Sequence, residues 1–148
     1  MDKANSKIAK WRRDEIKEAV VDIIIRCRVE SLPVDVFALM DKLGILYTTF
    51  SFAEFHGVWV EGTTDGYTIA RNIEGNPKYI IVFNENERSR QRVRWTIAHE
   101  LGHIILGHIN KCCAVGDKEA EANYFARELL SPLSALDELG ARSAAAIS

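Results

Sequence analysis

The chain has 148 residues, 47% hydrophobic and 27% charged, with a formal net charge of −2. That length fits one domain with a real core, and the near-neutral balance gives no overall field that would recruit nucleic acid or an anionic membrane. The apolar runs are far short of a bilayer span, and Met1 is not followed by a secretion-type apolar core. Three cysteines, two of them adjacent at Cys112 and Cys113, do not make a disulfide framework, so the expected compartment is reduced and cytoplasmic.

The first predicted element is a helix over 6–28, where Ile16, Ala19, Val20, Ile23, Ile24 and Cys27 recur at helical spacing. Asn5 or Ser6 serves as its expected N-cap. Lys7, Lys10, Arg12 and Arg13 cluster at its start and raise the question of DNA binding. Asp14, Glu15 and Glu18 follow closely, so a solvated helix face is the preferred reading and no direct nucleic-acid contact is expected. A shorter helix follows over 34–43. Val36, Leu39, Met40 and Leu43 keep an amphipathic pattern there, and Gly44 stands where a helix C-terminus favours positive φ.

The period then changes. ILYTTF (45–50), GVWVE (57–61), GYTIAR (66–71) and KYIIVF (78–83) are rich in β-branched and aromatic residues, and glycine, asparagine and proline separate the later ones. They predict three or four short antiparallel strands. Helical spacing returns over 85–109, with Asn84 as N-cap and Glu87 as its capping-box partner. The arginines at 88, 90, 92 and 94 read as the exposed start of this helix, with an acidic partner surface as the alternative. The loop NKCCAVGD leads to a helix over 117–130, closed by Pro132. The tail begins another helix without a clear end signal, as if the native chain or its ordered part were longer. The expected fold class is α+β, a single domain over 1–148.

Residues 95–108 read WTIAHELGHIILGH and hold three of the four histidines. Buried imidazoles and carboxylates are costly unless paired, so an apolar helix carrying His99, Glu100, His103 and His108 needs a partner for them. Positions i and i+4 share a helix face, which lets His99 and His103 reach one point. Neutral imidazole nitrogens around a tetrahedral gap suit Zn²⁺. Glu100, one residue along, falls beside the metal, where it can take a proton from the attacking water. Gly102 leaves room for another backbone to approach. Hydrogen bonds alone seldom satisfy three such groups in an apolar helix, so core histidines are the weaker reading.

A catalytic zinc needs a third protein ligand. His108 is excluded as a metzincin-type ligand, since that pattern needs Gly at 106 and His at 109, where this chain has Leu106 and Ile109. The segment KEAEANYFARELL offers Glu119 and Glu121. Ala122, Ala126 and Leu130 are small or apolar on the face assigned to Glu119, with Asn123 four residues on as a hydrogen-bonding support for a ligand imidazole. Helical facing favours Glu119 and turns Glu121 toward solvent or Arg127, but both carboxylates stay open. His108 is also expected to face another side of the helix. It is equally readable as structural or as an oxyanion-stabilising group, and His56 and Tyr67 are weaker candidates for that role. The two adjacent cysteines could bind zinc as thiolates in an inhibitory way; an incidental linker position is the preferred reading.

HELGHIILGH followed by E-x-E-A-N-x-F-A-x-x-L-L-x-P resembles the ImmA/IrrE family of zinc metallopeptidases. PVDVFALMDKLGI and RVRWTIAHELGH extend the resemblance over most of residues 33–132. It implies a zincin-like fold of gluzincin type, with a Glu third ligand followed four residues later by Asp or Asn. Glu119 and Asn123 match that spacing. It further implies an endopeptidase that inactivates a helix-turn-helix repressor and so derepresses mobile-element, phage or stress genes. A zinc-stabilised anti-repressor that binds without cutting is the alternative. An exposed strand edge, YTIAR or YIIVF, is expected to hold an extended substrate. Many family members continue into further helices beyond the position matching Pro132, so partner recognition from that region is in question.

Overall fold

The computed structural model describes residues 8–57, 65–109 and 115–131. The predicted strand GVWVE, the N-cap at Asn5 or Ser6, Cys112, Cys113 and the C-terminal tail lie outside the described residues, Gly57 excepted. The chain divides into two compact units, one formed by Met1–Val34 with Leu101–Ser148 and the other by Asp35–Glu100.

In the first unit, α1 (Lys10–Arg26) packs with α5 (Val115–Leu130). Ile16, Val20, Val21, Ile23 and Ile24 of α1 are buried, as are Ala122, Phe125, Ala126 and Leu129 of α5. The 3.6-residue period of α1 creates this stripe, and α1 begins at Lys10 after Ala9, which caps it without a side-chain hydrogen bond.

The second unit opens with α2 (Val36–Leu43). Asp35 accepts from the backbone N–H groups of Phe37 and Ala38, both at 3.1 Å, which satisfies donors that no helical carbonyl can reach. Gly44 ends the helix at φ 72°, and Ile45 N–H donates back to the Met40 carbonyl. Strand β1 (Leu46–Thr49) follows, then α3 (Phe50–Phe55), β2 (Gly66–Ile73) and β3 (Asn76–Phe83). The sequence pattern misses α3. Thr49, read as strand, accepts from Phe52 N–H and starts a helix where the strand was expected to continue through Phe50.

The sheet has the order β1-β3-β2. β2 and β3 form the expected antiparallel pair, Gly66 facing Phe83 and Ile73 facing Asn76. β1 instead lies parallel to β3, Leu46 opposite Ile80 and Thr49 opposite Phe83, so the sheet is mixed rather than wholly antiparallel. The intervening α3 and β2 supply the long connection that parallel neighbours require. Ile81 and Val82 of the central strand are fully buried.

Helix α4 (Arg90–Ile105) is shorter at both ends than the predicted 85–109. Ser89, not Asn84, caps it, its hydroxyl accepting from Arg92 N–H at 3.2 Å. Asn84 closes a local turn by accepting from Asn86 N–H at 2.9 Å. At the other end Gly107 takes φ 76°. His108 N–H then donates to the His103 carbonyl at 2.8 Å and Gly107 N–H to the Ile104 carbonyl at 3.1 Å. This is a Schellman turn, and it reverses the chain over the last helical turn. The boundary between the two units falls within α4, after Glu100.

Candidate active site

His99, Glu100 and His103 sit on consecutive turns of α4 and bring one ligand atom each within 4.8 Å of one another. Such a cluster can hold a metal ion. Glu100 is 9% exposed, and its Oε1 accepts from the Thr68 hydroxyl at 2.6 Å. Two matched spacings make this contact. A Cβ added to Gly66 would lie 2.6 Å from Thr96 Cγ2, so the start of β2 rests directly on α4. Two residues along a strand advance about 6.7 Å on one face, and four along a helix about 6 Å. Thr68 therefore meets Glu100 as Gly66 meets Thr96.

Glu119 on α5 places Oε1 3.3 Å from His103 Nε2, with its side chain 61% exposed. The close approach of α4 and α5 has a local cause. A Cβ on Gly102 would come within 3.1 Å of Phe125 Cδ1 and 3.2 Å of Ala122 Cα, so only a glycine lets the helices pack this tightly. Asn123 is half-buried on α5.

Glu121 does not turn toward solvent or Arg127. Its Oε1 accepts from Arg12 Nη2 at 2.7 Å and lies 2.9 Å from His108 Nε2. Burial pushes its carboxyl up, but the hydrogen bonds from Arg12 and His108 and the Arg12 charge outweigh it, holding the group below the usual carboxylate range. Arg12 is in turn raised, chiefly by its hydrogen bond to Glu121. The second nitrogen of His108, Nδ1, lies 2.9 Å from His103 Nδ1. His108 thus leaves the helix face that continued helical geometry assigns to it, because the Schellman turn at Gly107 folds it back onto His103. It is 6% exposed.

The other predicted residues have aromatic neighbours. His56 is exposed and contacts Phe52 and Phe55, with ring centroids 4.3 and 5.3 Å away. Tyr67 sits 6.0 Å from the Phe50 ring, and burial followed by Glu54 raises its phenol. Among the arginines that open α4, Arg92 pairs with Asp65 at 2.9 Å and Glu87 at 3.6 Å, both within the same unit.

Three residues of this region escape the sequence pattern: Arg12, Thr68 and Glu121 in its actual setting. Only Glu121 carries a signal, as the second acid of E-x-E. Arg12 reads as one of several surface cations, and Thr68 as an ordinary strand residue.

An HExxH helix packed against a following helix, in an α+β chain with N-terminal helices and a small three-stranded sheet, defines a metallopeptidase. A family model described as the IrrE N-terminal-like domain matches residues 40–144. The chain belongs to that family, the ImmA/IrrE zinc metallopeptidases. No curated protein matches its sequence. Among the described residues no helix is long and apolar enough to cross a membrane.

Proposed function

We propose that this chain is a zinc-dependent endopeptidase whose substrate is a helix-turn-helix repressor, and that cleavage derepresses mobile-element, phage or stress genes. The family supports peptide hydrolysis; the choice of substrate is our reading of how such peptidases are used. His99, His103 and Glu119 would hold the ion, with Asn123 as a supporting hydrogen-bond partner. The observation that supports Glu119 as the third ligand is the approach of its Oε1 to His103 Nε2 at 3.3 Å. Two donors at ordinary zinc distances in a tetrahedral site lie roughly 3.3 Å apart, so the pair fits the ion's geometry as well as its taste for nitrogen and oxygen.

When bound, zinc polarises the scissile carbonyl and acidifies water. The chain's own work falls to Glu100, which takes a proton from the attacking water and passes it to the leaving amine. Thr68 holds one carboxylate oxygen in place for that transfer. β2 is an edge strand among the described residues, whereas β3 is paired on both sides. An extended substrate would therefore add to YTIAR rather than to YIIVF, along the strand that carries Thr68.

Glu100→Gln tests the assignment. Cleavage of a repressor encoded beside the gene should fall by about 10²- to 10⁴-fold, the usual contribution of a general base, while zinc content by metal analysis stays at the wild-type level. Retained cleavage removes Glu100 from this role. If the variant fails to cut yet still relieves repression in cells, the protein acts by binding the repressor and the proteolytic reading falls.

A further inference from the structure

Four side chains form a continuous polar line within one compact unit: Arg12, Glu121, His108 and His103. The distances are 2.7 Å from Arg12 Nη2 to Glu121 Oε1, 2.9 Å from Glu121 Oε1 to His108 Nε2, and 2.9 Å between the two Nδ1 atoms. Glu121 and His108 have side chains only 16% and 5% exposed, so water competes little for these bonds.

We propose that Arg12 and Glu121, acting through His108, are positioning residues that fix His103 with its proton on Nδ1 and its lone pair on Nε2. The order of protons follows from the end of the line. Arg12 has only donors to offer, and a carboxylate beside it has only acceptors. His108 Nε2 must therefore carry the hydrogen that points at Glu121. A neutral imidazole has one N–H, which leaves His108 Nδ1 as an acceptor. His103 must donate to it from Nδ1, and its unprotonated Nε2 then faces Glu119, 3.3 Å away. That carboxylate is 61% exposed, so water or a cation can come between the two, whereas the buried Glu121 has no such relief. The opposite order would set a lone pair of His108 against the Glu121 carboxylate. It would also put a hydrogen on the very nitrogen that has to bind a metal. Support of a ligand imidazole through its second nitrogen is a common tuning device; here the support reaches back to the N-terminal helix.

The inference rests on the zinc reading for its purpose, but its first test needs no metal. Long-range proton–nitrogen correlation spectra of the metal-free full chain, labelled at histidine, report which ring nitrogen carries the proton. His103 should show Nδ1–H and His108 Nε2–H; a proton on His103 Nε2 overturns the proposal. The second test is Glu121→Ala. His103 should then populate both tautomers, and the zinc dissociation constant, measured by chelator competition, should rise about 10- to 100-fold. Glu121→Gln, whose amide oxygen still accepts from both neighbours, should recover most of that loss. Wild-type zinc affinity and an unchanged His103 spectrum in Glu121→Ala refute the positioning role. Should that variant fail to fold, the wild-type spectrum still decides. A wild-type protein that binds no zinc would instead sink the metal reading, while the spectrum alone would judge the proton order.

Discussion

Glu100 has to be both buried and charged to work as a base, and burial of a lone carboxylate is costly. The Thr68 hydroxyl at 2.6 Å offsets part of that cost and sets the direction of the carboxylate. A hydrogen bond to an ionised group contributes about 1.5–3 kcal/mol. If its orientation matters at the transition state, Thr68→Val, which keeps the shape and removes the donor, should lower kcat by about 10- to 100-fold. Metal content should not change, and Thr68→Ser should restore most of the rate. Turnover unaffected in Thr68→Val would show that the hydroxyl serves folding alone. HExxH is readable because its chemistry is compressed into one helical turn. Thr68 is not, because its partner lies 32 residues away and nothing in β-strand alternation distinguishes it.

At the scale of elements, glycines decide which pieces can meet. Gly102→Ala gains up to about 1 kcal/mol of helix propensity but sets its new methyl 3.2 Å from both the Cα and the carbonyl oxygen of Ala122. Backbone cannot swing aside as a flexible side chain can, and overpacking costs about 1–3 kcal/mol. The clash should win, and calorimetry should record a lower Tm. Gly107→Ala tests a different property, since a left-handed residue with a Cβ costs about 1–2 kcal/mol. Because that turn aims His108 at His103, we expect weaker zinc binding together with the loss of stability. A variant destabilised to the same degree but with unchanged zinc affinity would separate the turn from the site. The longer helices of this architecture were legible from periodicity and from Gly44 as a helix end, whereas the cap at Asp35 and the short α3 were not. The parallel placement of β1 was not, since a four-residue strand carries no mark of its neighbour's direction. Nor was the start of α4, where Asn84 and Ser89 are both good capping residues and only the turn made by Asn84 separates them.

For the whole molecule, a metal that binds only the folded chain must stabilise it. At a free zinc concentration 100 times the dissociation constant the gain is about 2.7 kcal/mol. Thermal unfolding should therefore shift upward with zinc and return with a chelator, and His103→Ala should abolish the shift. An identical Tm in the presence and absence of zinc would contradict the proposed ligand set. What the sequence settled by itself was whatever lies close along the chain: the helices with apolar stripes, the hairpin, and the His99, Glu100 and His103 cluster. The E-x-E-A-N segment that supplies Glu119 and Glu121 was visible as well, with its preferred member argued from helical facing. Tertiary structure alone decided that Glu121 is held by Arg12 and His108, that His108 folds back on His103, and that Thr68 meets Glu100. The physical reason is common to all three. Periodicity assigns a residue to a face, but which atoms lie across from that face depends on a turn at one glycine and on contacts between segments far apart in the chain.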